Sequence, residues 1–352
     1  MPSPSAPGPP LRSLSPRGPP MTPESRCSVL LALLLSAAAS AQSEPEAALN
    51  PDVLGTRSIV ACDVAAQACG VAVISFPVTS SMVPYGKPGL ALANQMLPSV
   101  ELAHDIIARI DSGQHPQQAL TAALAPPGTD PQNRQIGVAI IRNNAVQVGQ
   151  YTGQASWTER CSLLGSTYAI QAAGQTSAAV CQAMATGFER ARGSLALRLL
   201  ESLKAGAAVG QDARGERSGT VRVWAPSSQT DGFTYYIADA SVAGKRDALL
   251  LLESELYRYL GQMARESPAN RVELDPWTVM SLKWALKETR YYRGPVDFQW
   301  TTEADQALKA YQTANVLFPR DTIRSSGKVY IDWALVQFIL RAQDGSVQSA
   351  AR

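Results

Sequence analysis

The stretch Gly55-Thr56-Arg57-Ser58-Ile59-Val60-Ala61-Cys62, followed by Cys69-Gly70-Val71-Ala72-Val73-Ile74, decides the fold. Both runs are apolar and rich in β-branched residues, and a short loop separates them, which is the pattern of a β-hairpin. The first run opens with a threonine directly after a glycine. Thr56 is therefore either a structural residue at the start of a strand or a hydroxyl placed there to act as a nucleophile.

A threonine at the start of a strand becomes a self-contained nucleophile if the chain is cut just before it. The freed α-amine then serves as the base for the hydroxyl, as in N-terminal nucleophile (Ntn) hydrolases. An α-amine has a pKa of about 8, so it accepts a proton near neutral pH. Ser58 lies two residues along the same strand and faces the same side, so it is a second candidate nucleophile or a hydrogen-bond partner.

Further motifs follow the hairpin in a fixed order: Gly89–Gln95, Arg134–Val138, Tyr151–Gly153 and Gly210–Ser218. Together with the hairpin they resemble the domain-of-unknown-function 1028 family over roughly Thr56 to Met263. The resemblance implies a fold similar to that of Ntn hydrolases, a four-layer αββα sandwich. It implies chemistry only by analogy, because fold alone does not determine function.

Composition excludes several classes of function. The net charge of +2 over 352 residues leaves no basic surface for nucleic acid. Two histidines, His104 and His115, and the lack of any Cys-x-x-Cys spacing argue against a metal site, and no cofactor is expected. We expect both histidines to be surface or packing residues.

The N-terminal region has the pattern of a secretory signal. Residues 1–20 are rich in Pro and Ser, and Met21 offers a second start ahead of a short apolar segment and a small-residue cleavage site at Ala39-Ser40-Ala41. We expect residues 1–41 to comprise this signal and an upstream extension, and the mature protein to be secreted or periplasmic. A membrane anchor is the alternative reading of the same segment.

Signal removal leaves residues 42–55 ahead of Thr56 as a leader or propeptide. In one interpretation the chain cuts itself between Gly55 and Thr56, where glycine leaves the carbonyl unhindered. In the other, nothing is cut and the leader remains a flexible extension. The sequence leaves both open.

Four cysteines remain after signal removal, an even number that suits disulfides in an exported protein. Cys62 and Cys69 flank the hairpin loop and would lie opposite each other within disulfide reach. We predict Cys62–Cys69 and Cys161–Cys181, with four reduced thiols as the alternative.

Polar side chains at four positions are candidates to surround Thr56. Asp212 and Arg214 lie on a glycine-flanked loop. We assign both residues catalytic roles and expect Arg214 also to hold a substrate carboxylate in a bidentate pair. Gln95 and Gln135 are candidates to orient a substrate amide. A loop salt bridge and sheet-edge hydrogen bonds are the structural alternatives.

The order of elements after the hairpin is strands, two helices, strands, two helices and strands, which predicts an α+β domain over residues 56–265. Residues 271–343 then form a small three-helix domain, and residues 344–352 a disordered tail. The stretch Tyr291–Asp297 and the later Tyr311-Gln312 resemble the peptidoglycan-binding domain family. That resemblance implies wall binding through Tyr291, Tyr292 and Asp297; a helical appendage without a ligand is the alternative.

The combined expectation is a secreted Ntn-type amide hydrolase, tethered to the cell wall by its C-terminal module and acting on a wall peptide or a small amide. The alternative is a non-catalytic wall-binding protein that uses an inactive Ntn-like scaffold. Neither interpretation involves nucleic acid, or a membrane once the signal is removed. The oligomeric state is left open.

Overall fold

A computed structural model of the chain describes residues 55–77, 79–154, 159–212, 214–226, 236–264 and 267–343. The predicted signal segment (1–41), the predicted leader up to residue 54 and the predicted tail (344–352) lie outside these residues.

Within the described residues, antiparallel strands form three sheets, and α-helices connect groups of strands along the chain. The strands are β1 (Thr56–Asp63), β2 (Ala68–Ser75), β3 (Pro84–Lys87), β4 (Leu90–Gln95), β5 (Gln135–Arg142), β6 (Ala145–Thr152), β7 (Cys161–Leu164), β8 (Tyr168–Ala173), β9 (Ser218–Trp224), β10 (Tyr236–Val242), β11 (Arg271–Glu273), β12 (Ile323–Ser325) and β13 (Lys328–Asp332). The helices are α1 (Val100–Asp111), α2 (Pro116–Leu124), α3 (Val180–Arg190), α4 (Leu195–Ala207), α5 (Ala248–Gln262), α6 (Pro276–Glu288), α7 (Thr302–Ala314) and α8 (Trp333–Gln343).

The predicted hairpin is confirmed as β1 and β2, in the register that the cysteines suggested. Cys62 lies opposite Cys69, and the same register places Thr56 opposite Ser75 at the other end. The predicted disulfides Cys62–Cys69 and Cys161–Cys181 are both formed. The second one joins β7 to α3.

Strand β1 lies in the middle of a six-stranded sheet of order β10-β9-β2-β1-β8-β7. Alternate residues of a strand face opposite sides of its sheet. Val60 on one face packs with Ala93 and Ala139 of the four-stranded sheet β3-β4-β5-β6, so an apolar cluster joins the two sheets. Ile59 on the other face packs into a cluster with residues of α3, α4 and α5.

The helices α1 and α2 cover the four-stranded sheet through a separate apolar cluster that includes Ile106 and Leu120. The mixed composition of helices and antiparallel sheets confirms the predicted α+β class. Within the described ranges, no helix is long and apolar enough to cross a membrane.

The C-terminal region contains the three predicted helices as α6, α7 and α8, packed around Leu282, Leu308 and Leu335. It also contains a small sheet, β11-β13-β12, that sequence reasoning missed. These strands are three to five residues long, which is too short for an alternating pattern to identify them.

Arg320 links this region to the end of α5. Its buried guanidinium donates hydrogen bonds to the carbonyls of Leu260, Gly261 and Ala264, and pairs with Asp332 at 3.2 Å. The carbonyls at a helix C-terminus lack partners within the helix, so the arginine supplies donors that α5 needs. The predicted domain boundary between residues 265 and 271 stays a prediction.

Candidate functional site

Thr56 is the first residue of β1, and its side chain points into the space between the two larger sheets. It is 4% exposed. It lines a cavity of about 160 Å³ together with Ser75, Pro77, Thr79, Ser80, Val83, Met96 and Pro98. The candidate nucleophile is therefore buried at the end of a strand but within reach of a small cavity.

The Thr56 hydroxyl is paired with the hydroxyl of Ser75, at 2.7 Å between the two oxygens. The Ser75 oxygen also lies 3.1 Å from the carbonyl oxygen of Gly55 and donates to it. A serine hydroxyl carries only one hydrogen. Because Ser75 donates its hydroxyl hydrogen to the Gly55 carbonyl oxygen, Thr56 is the donor in the hydroxyl pair.

The Gly55 carbonyl oxygen receives a second hydrogen bond, from the backbone N–H of Phe76 at 3.1 Å. This carbonyl belongs to the peptide bond that precedes Thr56. Two donors aimed at one carbonyl oxygen form the arrangement that stabilises negative charge when a nucleophile adds to the carbonyl carbon. The structure thus combines a hydroxyl and a polarised peptide bond at the same place.

Asp212 and Arg214 form a buried ion pair beside this peptide. Arg214 Nε and Nη2 donate to the two Asp212 carboxylate oxygens at 3.0 and 2.9 Å, and the Arg214 guanidinium lies 4.0 Å from the centre of the Phe76 ring. The bidentate face of Arg214, predicted to hold a substrate carboxylate, is thus occupied by Asp212. Its Nη1 has no hydrogen-bond partner among the described residues.

Arg57 points to the opposite face of the sheet and is fully buried. Its guanidinium pairs with Glu216, with 3.2 Å between Nη2 and Oε2. Burial lowers the pKa of Arg57, and the charge of Glu216 opposes that shift. The pair fixes the loop that carries Asp212 and Arg214 against the start of β1.

Gln95 and Gln135 are buried between the sheets and contact backbone near the start of β1. Gln95 Nε2 donates to Gln135 Oε1 at 2.8 Å and to the Thr56 carbonyl at 3.4 Å, and Gln135 Nε2 donates to the Ala172 carbonyl at 3.2 Å. Neither glutamine lines the cavity at Thr56. Their predicted role in orienting a substrate amide stays a prediction.

Ser58 faces the same side of the sheet as Thr56, but it is completely buried. Its hydroxyl donates to Gln171 Oε1 at 3.1 Å, and it does not line the cavity. The structure therefore places it as a hydrogen-bond partner between the sheets.

His104 lies in α1 and His115 directly precedes α2, the two helices that cover the four-stranded sheet, and both histidines are exposed. His104 contacts the ring of Tyr85 edge-on, and His115 caps α2 by accepting a hydrogen bond from Gln117 N. Within the described residues no group of three or more His, Cys, Asp or Glu side chains could hold a metal ion.

The three residues predicted to bind the cell wall have different environments. Tyr292 is buried in the core of the C-terminal region, and Tyr291 packs edge-on against Tyr311. Asp297 accepts a hydrogen bond from Lys283 at 2.6 Å, which lowers the pKa of its carboxyl.

The exposed aromatic surface of this region is formed by other residues. Trp277 and Phe298 are 67% and 51% exposed and contact each other with ring centres 5.3 Å apart. Trp284 is also exposed and lies seven residues after Trp277 on α6, hence on the same face of the helix.

Sequence reasoning missed Ser75, which directly follows the apolar run predicted as β2. The signal was present in the hairpin register, because a strand pairing that sets Cys62 opposite Cys69 also sets Thr56 opposite Ser75. Residues directly opposite each other in an antiparallel pair have side chains on the same face and in contact.

Comparisons with known proteins agree on one family. The model of the family of unknown function DUF1028 matches residues 56–248. A crystal structure of a DUF1028 protein from Silicibacter pomeroyi is similar to this chain, with 18% identity, a TM-score of 0.51, and coverage of 58% of this chain and 89% of that one. That likeness shows a shared fold. No curated protein matches the chain. Since the matched residues make up more than half of its 352 residues, the chain belongs to the DUF1028 family.

Proposed function

We propose that this protein is a secreted Ntn-type amide hydrolase that cuts its own chain before Thr56. The observation that carries the proposal is the shared contact of Ser75. Its hydroxyl oxygen lies 2.7 Å from the Thr56 hydroxyl and 3.1 Å from the carbonyl oxygen of the preceding peptide. A nucleophile and a donor to the developing oxyanion are thus joined by one side chain.

Self-cleavage proceeds in two steps. The Thr56 hydroxyl oxygen adds to the Gly55 carbonyl carbon, the bond from that carbon to the Thr56 nitrogen breaks, and the hydroxyl proton passes to the nitrogen. Water then hydrolyses the resulting ester, which releases the leader acid and restores the hydroxyl. The product has a free amine beside the hydroxyl, as a self-contained nucleophile requires.

Three further observations support the proposal. The two larger sheets face each other, with helices packed on the outer face of each, as in an αββα sandwich. Two disulfides suit an oxidising compartment outside the cytoplasm. The cavity of about 160 Å³ is smaller than the roughly 300–1,000 Å³ of sites for drug-sized ligands, which favours a small amide or the end of a larger chain.

Replacing Thr56 with alanine should abolish cleavage, because the attacking oxygen is lost. Intact mass and N-terminal sequencing of purified protein should show a chain that begins at Thr56 in the wild type and none in Thr56→Ala. Thr79→Ala is the matched control, since Thr79 lines the same cavity and should be dispensable. A wild-type chain that keeps its leader would contradict self-processing and favour the scaffold alternative.

The second part of the proposal is a wall-binding surface on the C-terminal region, formed by Trp277, Phe298 and Trp284. Exposed aromatic rings provide flat apolar faces on which sugar rings can stack, and contiguous exposed apolar patches often mark binding sites. A wall ligand also suits an exported protein.

Full-length Trp277→Ala/Phe298→Ala should lose most of its binding to insoluble peptidoglycan in a pull-down assay, because the paired rings are removed. Val316→Ala, which removes an exposed apolar side chain elsewhere in the same region, should bind like the wild type. Equal binding by all three proteins would assign the surface no role in tethering.

A further inference from the structure

The space around Gly55 limits which acyl groups the site can accept. Gly55 is buried, and the space beside its α-carbon is filled. A Cβ added to Gly55 would lie 2.5 Å from the carboxyl carbon of Asp212 and closer still to Asp212 Oδ2, with the Gly174 carbonyl oxygen 3.1 Å away. The L-side-chain position of residue 55 is therefore filled by a carboxylate.

That carboxylate cannot easily move aside. Arg214 holds both of its oxygens through the guanidinium, and the Arg214 backbone N–H donates to Oδ1 at 2.9 Å. The Asp212 backbone is also fixed, because its carbonyl accepts from Gly215 N at 2.9 Å and it bridges to Gln175. Arg214 in turn is buried against the Phe76 ring. The Asp212 carboxylate is thus held in a fixed position beside Gly55.

The chemistry of the proposed function links the position of Asp212 to substrate choice. Self-cleavage passes through an ester between Thr56 Oγ1 and the Gly55 acyl group. Turnover on an external amide passes through the same kind of ester, with the substrate acyl group in place of Gly55. Both esters form on the Thr56 hydroxyl, so the α-carbon of the acyl group lies beside Asp212 in both.

We propose that Asp212 makes this site selective for glycyl acyl groups: amides whose acyl α-carbon bears no L-side chain. The inference rests on the proposed function. An L-alanyl group would have to displace a buried ion pair, and forcing one extra methyl group into a packed site typically lowers a rate by roughly tenfold to a hundredfold.

Self-cleavage of the full chain tests directly whether Asp212 excludes a side chain at residue 55. Gly55→Ala should be cut roughly 10- to 100-fold more slowly than the wild type. Intact-mass measurements over time give the two cleavage rates. In Gly55→Ala/Asp212→Ser the shorter side chain makes room while its hydroxyl can still accept from Arg214, so cleavage should recover at least tenfold over Gly55→Ala. Disulfide mapping and thermal melting verify that each variant is folded.

The wild-type protein provides a measurement that does not depend on variant folding. Cleaved protein should hydrolyse N-acetylglycine 4-nitroanilide at least tenfold faster than N-acetyl-L-alanine 4-nitroanilide. Equal rates on the two amides, or a Gly55→Ala chain that is cut like the wild type, would overturn the inference alone. A wild-type chain that is never cut would instead overturn the proposed function, and the inference with it.

Discussion

Replacing Ser75 with alanine should slow cleavage before Thr56 by roughly 100- to 1,000-fold, the usual effect of deleting one donor to a developing oxyanion. Ser75 is the side-chain donor to the Gly55 carbonyl, at 3.1 Å, and the acceptor for the Thr56 hydroxyl, at 2.7 Å. The backbone N–H of Phe76 remains in the variant, so residual cleavage is expected. The rate is measured by the appearance of a chain that begins at Thr56.

Ser80→Ala is the matched control for this experiment. Ser80 lines the same cavity and is equally buried, but its hydroxyl pairs with Thr220 at 3.1 Å and not with the Gly55 peptide. We expect its cleavage rate to stay within a few-fold of the wild type. If Ser75→Ala is cut as fast as Ser80→Ala, the Ser75 hydroxyl does not take part in the reaction.

Replacing Glu216 with glutamine should lower the free energy of unfolding by about 3–5 kcal/mol, because it leaves the buried Arg57 cation without its counter-charge. The polar contacts of that guanidinium to groups other than residue 216 are long: 3.4 Å to Gln175 Oε1 and 3.4 Å to the Leu203 carbonyl. Urea denaturation of the wild type and the variant measures the difference.

Glu273→Gln is the control for this second prediction. It removes the same charge from a pair with Lys328 in which both side chains are about half exposed. Exposed pairs contribute about 0–1 kcal/mol, so this variant should unfold close to the wild type. Loss of less than about 1 kcal/mol in Glu216→Gln would mean that the buried cation is stabilised by other groups.

The local part of the fold could be predicted from the sequence because it depends on neighbours in the chain. The hairpin follows from two β-branched runs around a short loop, and the Cys62–Cys69 pair follows from its register. The α+β class follows from the order of elements. Helix α2 begins at Pro116, and a proline in the first turn is a local signal for the start of a helix.

The candidate site was harder to predict because it is assembled from distant segments. Asp212 and Gly55 are separated by most of the domain, and no periodicity reports that one carboxylate fills the space beside one glycine. The partner of Arg214 also depends on the loop's three-dimensional course, since the same motif could equally present a free guanidinium to a ligand. The place of Thr56 at the start of a strand could be read from the sequence, whereas the groups that surround it could be identified only from the structure.

The place of β1 in the sheet has a consequence for a newly made chain end. Terminal residues usually fray unless the fold ties them down. An end created at Thr56 would begin a strand that has ladder partners on both sides, Ser75 on β2 and Ala173 on β8, and that is covalently joined to its neighbour at the far end. Such a terminus would be immobilised from the moment it forms, and its amine and hydroxyl would keep one fixed orientation without any further rearrangement.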